Sequence, residues 1–196
     1  MNREIQPTCY VIAGPNGAGK TTFALRYLPE ITGCRNFINA DLIADGLSPL
    51  DPSRVQLEAG KTLLREIKSH VAKGEGFAFE TTLSGRSYVR LLKELRFKGW
   101  KIVLFYLWIP SAEFSRLRVQ QRVEAGGHDI PDEAIARRYK RTVSNFLNVF
   151  VSLCDETMCY DNSLPEPWPI FSDYKGERSV LDKTRYQSMM ESRHEQ

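Results

Sequence analysis

The stretch Gly14-Pro15-Asn16-Gly17-Ala18-Gly19-Lys20-Thr21 decides how this chain is read. It matches G-x-x-x-x-G-K-[ST], the phosphate-binding loop pattern, at every fixed position. Cys9–Ala13 ahead of it reads as a buried strand, and the pattern from Thr21 onward is helical. Gly14, Gly17 and Gly19 let the backbone turn tightly, so that successive N–H groups point inward at phosphate oxygens. The positive end of the following helix adds to that field. In such a cradle, running from Gly14 to Thr22, Lys20 reaches the β- and γ-phosphates and the Thr21 hydroxyl ligates Mg²⁺. A dinucleotide fingerprint fails on spacing, because Thr22 stands where its third glycine belongs. The expected ligand is a nucleoside triphosphate.

Outward from the loop, short apolar runs alternate with longer amphipathic segments. Thr8–Ala13, Asn36–Asn39, Phe77–Glu80, Lys101–Ile109 and Thr157–Tyr160 read as strands. Helical patterns lie near Lys20–Leu28, Pro52–Lys73, Ser87–Phe97, Ser111–Ala125 and Pro131–Leu153. Strand–helix alternation implies parallel pairing with helices on both faces. The expected architecture is α/β, a three-layer P-loop NTPase of kinase-like form with a mainly parallel five-stranded sheet and a helical lid at about 111–141. Beyond Pro165 the pattern loosens into an extended piece, Pro169–Tyr174, and a polar helix, Arg178–Glu191. Residues 1–164 read as the kinase domain and 165–196 as an appendage.

The 196 residues are 42% apolar and 26% charged, the balance of an ordinary globular protein. The longest apolar run, Ile102–Ile109, is far short of the ~18 residues a membrane span needs, and no signal peptide pattern opens the chain, so a cytoplasmic protein with no membrane partner is expected. Lys and Arg number 27 against 24 Asp and Glu, a net charge of +3 that is too mild to imply nucleic acid. Cys9, Cys34, Cys154 and Cys159 fit no zinc or redox spacing and read as structural.

The rest of the sequence separates the classes that share the loop. A GTPase should carry N-K-x-D, which is absent. Leu83-Ser84-Gly85-Arg86 resembles the start of an ABC signature, but the apolar strand that follows ends in Pro110-Ser111 rather than Asp-Glu. A small-molecule kinase needs a base, polar groups for the acceptor and arginines over the transferred phosphoryl group. Asp41, in Asn39-Ala40-Asp41 after the second strand, is the base candidate, the alternative being a cap on a short helix Leu42–Asp45. Glu80-Thr81-Thr82 ends the next strand and places polar groups at the same rim, to hold Mg²⁺-bound water or acceptor hydroxyls, the alternative being a strand end with a helix cap. Arg118 and Arg122 share one helix face, and Arg137, Arg138 and Arg141 lie on the next helix across a glycine-containing turn. Arg122 and Arg138 are the choices for phosphate contact, and a solvated face paired with Glu124 and Glu133 fits at least two of the five. His128, beside the turn, reads as a loop hydrogen-bonder with at most a minor phosphate contact. Trp100, Trp108, Phe105 and Tyr106 read as core.

Four blocks together, Tyr10-Val-Ile-Ala-Gly-Pro-Asn-Gly-Ala-Gly-Lys-Thr-Thr22, Ile38-Asn-Ala-Asp41 with Gly46-Leu-Ser-Pro49, Phe79-Glu-Thr-Thr-Leu83 and Arg122-Val-Glu-Ala-Gly-Gly-His-Asp-Ile-Pro131, resemble the zeta-toxin family of P-loop kinases over about residues 8–162. That family phosphorylates the 3′-hydroxyl of UDP-N-acetylglucosamine with ATP and Mg²⁺. The resemblance implies that Lys20 and Thr21 bind ATP and Mg²⁺, that Asp41 deprotonates the sugar hydroxyl, that Glu80 and Thr82 hold the acceptor, and that lid arginines clamp phosphates. It also admits an antitoxin protein as partner.

The chain departs from the family on the acceptor side. An arginine that follows the Glu-Thr block in well-known members is missing, with Arg86 the nearest substitute. Leu64 stands where an acidic residue contacts the sugar, with Glu58 and Glu66 nearby. The second lid arginine falls near His128, leaving its role to Arg138. The expectation is an ATP-dependent phosphotransferase acting on a nucleotide sugar, UDP-N-acetylglucosamine first. The alternatives are a kinase for another small-molecule or nucleic-acid hydroxyl and a non-catalytic ATP-binding regulator.

Overall fold

Uninterrupted apolar strands bury both faces only inside a sheet covered by helices on each side. The computed structural model, which describes residues 6–127 and 129–192, has this arrangement. Its strands are β1 (Thr8–Ala13), β2 (Phe37–Ile38), β3 (Phe77–Thr81), β4 (Lys101–Trp108), β5 (Glu156–Asp161), β6 (Trp168–Tyr174) and β7 (Glu177–Val180). They form one sheet in the order β2-β3-β1-β4-β5-β6-β7. The five expected strands are its parallel part. The sheet nevertheless has seven strands rather than five, because β6 and β7 continue it antiparallel.

The helices are α1 (Lys20–Thr32), α2 (Ala40–Leu47), α3 (Gln56–Lys73), α4 (Tyr88–Phe97), α5 (Ala112–Glu124), α6 (Asp132–Asn145) and α7 (Lys183–Ser192). Ser111 caps α5, its hydroxyl accepting the Phe114 N–H at 3.1 Å. The helical pattern over Pro131–Leu153 breaks after α6 into a π turn, Phe146–Phe150, and a 3-10 turn, Val151–Leu153. The expected C-terminal helix from Arg178 is corrected: residues Glu177–Val180 are strand, and α7 starts at Lys183. The reason is a two-residue hairpin at Lys175-Gly176, where φ values of +52° and +91° suit the primed turn that joins antiparallel strands. Asp173 secures it by accepting the Gly176 N–H at 3.0 Å. Asp182 then caps α7 through the Arg185 N–H at 3.0 Å.

The core lies on both faces of the central strands. Phe77, Phe79, Tyr106, Phe146, Phe150 and Phe171 are fully buried, each worth roughly 1.5–3 kcal/mol in apolar burial. Tyr106 and Phe146 stack with ring centroids 3.7 Å apart. Trp100, Trp108 and Phe105 are buried as well, so the aromatic cluster is core as expected. The cysteines are free thiols, three of them buried and Cys34 half-buried. Among the described residues no helix is long and apolar enough to cross a membrane. Because β1 lies between β3 and β4, with β2 beyond β3, the carboxyl ends of β2, β3 and β1 open side by side onto one crevice.

Candidate active site

The phosphate loop is built to a tight tolerance. Gly14, Gly17 and Gly19 have φ of +149°, +72° and +77°, the region that favours glycine. A Cβ on Gly14 would lie 2.3 Å from the Leu107 carbonyl oxygen, and one on Gly17 2.9 Å from that of Ser115. The Ser115 hydroxyl of α5 donates to the Asn16 carbonyl at 2.6 Å, tying the lid to the loop. The Asn162 side-chain amide donates to the Ala18 carbonyl at 2.6 Å from the far side. Lys20 is buried and donates to the Pro15 carbonyl at 2.9 Å. Burial pulls its ammonium pKa below the usual lysine range, Glu80 and Asp41 pull it back, and Arg122 adds to the fall. Three charges of the expected site, Glu80, Asp41 and Arg122, thus act on Lys20.

Glu80 joins donor and acceptor sides. Its carboxylate stands 3.7 Å from the Lys20 ammonium and accepts the Thr21 hydroxyl at 2.7 Å. It also accepts from the Asn39 side-chain amide at 2.6 Å. Asn39 is the residue that caps α2, its Oδ1 accepting the backbone N–H of Asp41 and Leu42. The helix cap considered for Asp41 therefore belongs to Asn39, and Asp41 stands in the first turn of α2, exposed at the crevice. Among the described residues no cluster of His, Cys, Asp or Glu holds a metal by itself. Thr21 and Glu80 do supply the hard oxygen donors that suit Mg²⁺, an ion that keeps water and phosphate ligands.

Asp41, Asn16, Thr82 and Arg138 line one cleft of about 370 Å³, closed at the lid end by Asp129–Pro131. Asn16 Oδ1 is buried without a hydrogen-bond partner among the described residues, which leaves an acceptor for a bound donor. Arg122 runs past Gly127, where a Cβ would fall 2.6 Å from its Cγ. Only glycine leaves that path clear. Arg118 turns instead toward the tail, donating to the carbonyls of Asn162 at 2.7 Å and Ser163 at 3.1 Å. There it borders a second pocket, of about 230 Å³, with Gly19, Thr22, Asn162, Pro165 and Pro167. Arg137 and Arg141 are exposed. Arg86 is exposed ahead of α4 and does not line the cleft. His128 lies outside the described residues.

The structure adds groups to which the sequence reading gave no role. Leu83 is buried with φ +54°, an unfavourable conformation for a branched side chain. The Thr142 hydroxyl donates to the Thr82 carbonyl at 2.7 Å and the Asn145 amide to the Leu83 carbonyl at 2.8 Å. Arg138, Thr142 and Asn145 are spaced i, i+4, i+7 on α6, so one helix face carries an arginine into the cleft and pins the loop that presents Thr82. Asn39 had a signal, its place in Asn-Ala-Asp. Ser115, Thr142, Asn145 and Asn162 had none, being isolated polar residues that only the packing brings to the loops.

A sequence model described as Zeta toxin matches residues 1–163. The chain belongs to the Zeta toxin family of P-loop kinases. An uncharacterized protein of Haemophilus influenzae is 31% identical over 126 residues, 64% of this chain and 88% of that one. The structure of AvrRxo1-ORF1:-ORF2 with ATP is similar with a TM-score of 0.77 at 19% identity, covering 98% of this chain and 66% of the other, so this chain spans just under two thirds of that relative's length. The PezAT chromosomal toxin–antitoxin system of Streptococcus pneumoniae is similar with a TM-score of 0.63 at 19% identity, over 95% of this chain and 85% of the other. These likenesses share the kinase fold.

Proposed function

We propose that this chain transfers the γ-phosphoryl group of ATP to a hydroxyl of a nucleotide sugar in the cytoplasm, with the 3′-hydroxyl of UDP-N-acetylglucosamine the first acceptor. The observation that carries the reading is the shared cleft: Asp41, Thr82 and Arg138 face Asn16 of the phosphate loop, and the Asp41 charge is felt at Lys20. A base across a crevice from a phosphate-binding lysine is what an alcohol acceptor requires.

In this reading the acceptor hydroxyl gives its proton to the Asp41 carboxylate as its oxygen bonds to the γ-phosphorus, and ADP leaves. A base in this position contributes about 10²–10⁴ in rate. Lys20, Arg122 and Arg138 stabilise charge on the phosphoryl oxygens, Lys20 from a position already held by the Pro15 carbonyl. Glu80 and Asn39 orient Lys20 and Thr21, while Thr82 and Glu80 offer polar contacts to the acceptor. Mg²⁺, held through the Thr21 hydroxyl and the Glu80 side, would neutralise phosphate charge when bound. The pocket between Arg118 and Pro165–Pro167 suits the nucleoside of ATP, a guanidinium on one side and a proline-rich loop on the other. The AvrRxo1 and PezAT structures are complexes or systems of two proteins, which supports an antitoxin partner here.

The test is incubation with MgATP and UDP-N-acetylglucosamine, followed by mass spectrometry. ADP and a singly phosphorylated nucleotide sugar should form in equal amounts. Turnover only with a different alcohol would move the acceptor assignment, and tight ATP binding with no turnover on any alcohol would overturn the kinase reading.

A further inference from the structure

A short strap, residues 162–167, joins β5 to β6 and walls the pocket beside Arg118. Both of its ends are tied down by charge. At its start stands Asp161, the last residue of β5 and only 4% exposed. A carboxylate this buried is costly unless a cation and hydrogen bonds satisfy it. Its Oδ1 accepts the Ser163 N–H at 2.9 Å and the Ser163 hydroxyl at 2.6 Å. Its Oδ2 accepts from Nε of Arg185 at 2.9 Å. At the other end Glu166 accepts from Arg26 at 2.9 Å and from the Tyr27 hydroxyl, both on α1.

Arg185 comes from α7, in the stretch that reads as an appendage in the sequence, and its guanidinium is held on several sides. Nη1 donates to Asp182 at 2.8 Å, and the group lies 5.5 Å from the centre of the Trp168 ring. Trp168 donates in turn to Asp182 at 3.1 Å. Arg185 therefore meets Asp161 from a fixed direction, in a charge-assisted hydrogen bond of the stronger kind.

The turn that Asp161 holds faces the phosphate loop. Asn162 sends its side-chain amide to the Ala18 carbonyl at 2.6 Å, and a Cβ on Gly19 would fall 2.8 Å from that amide. From the opposite side Arg118 of α5 donates to the carbonyls of Asn162 and Ser163. Two arginines on two helices thus clamp three consecutive residues. Pro165 and Pro167 fix φ farther along the strap, so movement at its start is passed on rather than absorbed.

We propose that Arg185 is a positioning residue of the nucleotide site: through Asp161 it sets the Asn162-Ser163 turn, and with it the wall on which the nucleoside of ATP rests. Arg185 does not line that pocket and acts only through the residues it holds. The inference rests on the assignment of the pocket to the nucleoside, and it makes α7 a part of the ATP side of the molecule. The phosphates lie in the backbone cradle with Lys20, which the strap's hydrogen bond reaches only at Ala18. Arg185 therefore matters more for the nucleoside than for the phosphates.

The test is calorimetric binding to the full chain, with Mg²⁺, of a non-hydrolysable ATP analogue and of inorganic tripolyphosphate, which offers phosphates without a nucleoside. Arg185→Leu should weaken the analogue at least about tenfold and tripolyphosphate less than about threefold. It should also melt lower, because it leaves Asp161 buried without its cation. Adding Asp161→Asn to Arg185→Leu removes the bare charge and keeps an acceptor for Ser163. The melting temperature should then recover while the loss of analogue affinity persists, since the anchor is still missing. Unchanged analogue affinity in Arg185→Leu, equal weakening of both ligands, or recovery of affinity together with stability in the double variant overturns the proposal and leaves the kinase reading standing. Binding that responds as expected, with no phosphoryl transfer by wild type to any alcohol, overturns the kinase reading and leaves Arg185 in its role.

Discussion

Gly14 in the phosphate loop and Asp41 in α2 show how differently the two halves of the cleft are built. At Gly14 a Cβ would lie 2.3 Å from a backbone oxygen, whereas Asp41 stands exposed at the crevice. The donor half is made largely of backbone, closed over a buried Lys20 and braced by Ser115 and Asn162. The acceptor half is made of side chains from separate elements, with Asp41 on α2 and a loop pinned from α6. One half can tolerate almost no change. The other can change its ligand while the fold stays intact.

Substitutions should expose that asymmetry in a definite order. The largest effect belongs to Lys20→Ala, which removes the buried cation of the donor half. It should lower kcat/KM by about 10³ and weaken ATP binding as well, measured by steady-state kinetics and calorimetry. Unchanged kinetics would detach the loop from the chemistry. Gly14→Ala comes next, and overpacking against Leu107 should cost about 3 kcal/mol in urea unfolding. A variant of wild-type stability would show that the loop is looser than its contacts indicate. Asn145→Leu keeps volume but removes the donor to the Leu83 carbonyl. It should reduce kcat/KM for the acceptor about tenfold with KM for ATP unchanged. Equal losses toward both substrates would mean that α6 supports the whole cleft rather than its acceptor side. Arg86→Ala should change turnover by less than about threefold, since its side chain lies away from the cleft. A larger loss would return it to the acceptor contacts that the family resemblance implies.

The same asymmetry governs what could be read from the sequence. The donor half was legible because a phosphate cradle is a local object: eight consecutive residues fix its turns, lysine and hydroxyl. The parallel strands were legible because burial on both faces leaves uninterrupted apolar runs such as Ile102–Ile109. The hairpin at Lys175-Gly176 was missed because β7 is a four-residue exposed strand with no apolar alternation to mark it. On the acceptor side, Asp41 and Arg138 line one cleft although almost a hundred positions separate them; motif order pointed to Asp41, and the two-helix lid pattern to Arg138. The clamp on Leu83 was not legible. Its donors, Thr142 and Asn145, lie about sixty residues away, and only the packing of α6 on the β3 loop gives them a partner.

The account depends on a carboxylate that activates an alcohol opposite a lysine-held phosphate. Single-turnover phosphoryl transfer by Asp41→Asn, with the ATP dissociation constant measured on the same preparation, tests this most directly. The account predicts transfer slowed at least about 10²-fold while ATP affinity stays within about twofold of wild type. Transfer at a near-normal rate would contradict it and leave Asp41 as a residue of the α2 first turn with no part in the chemistry.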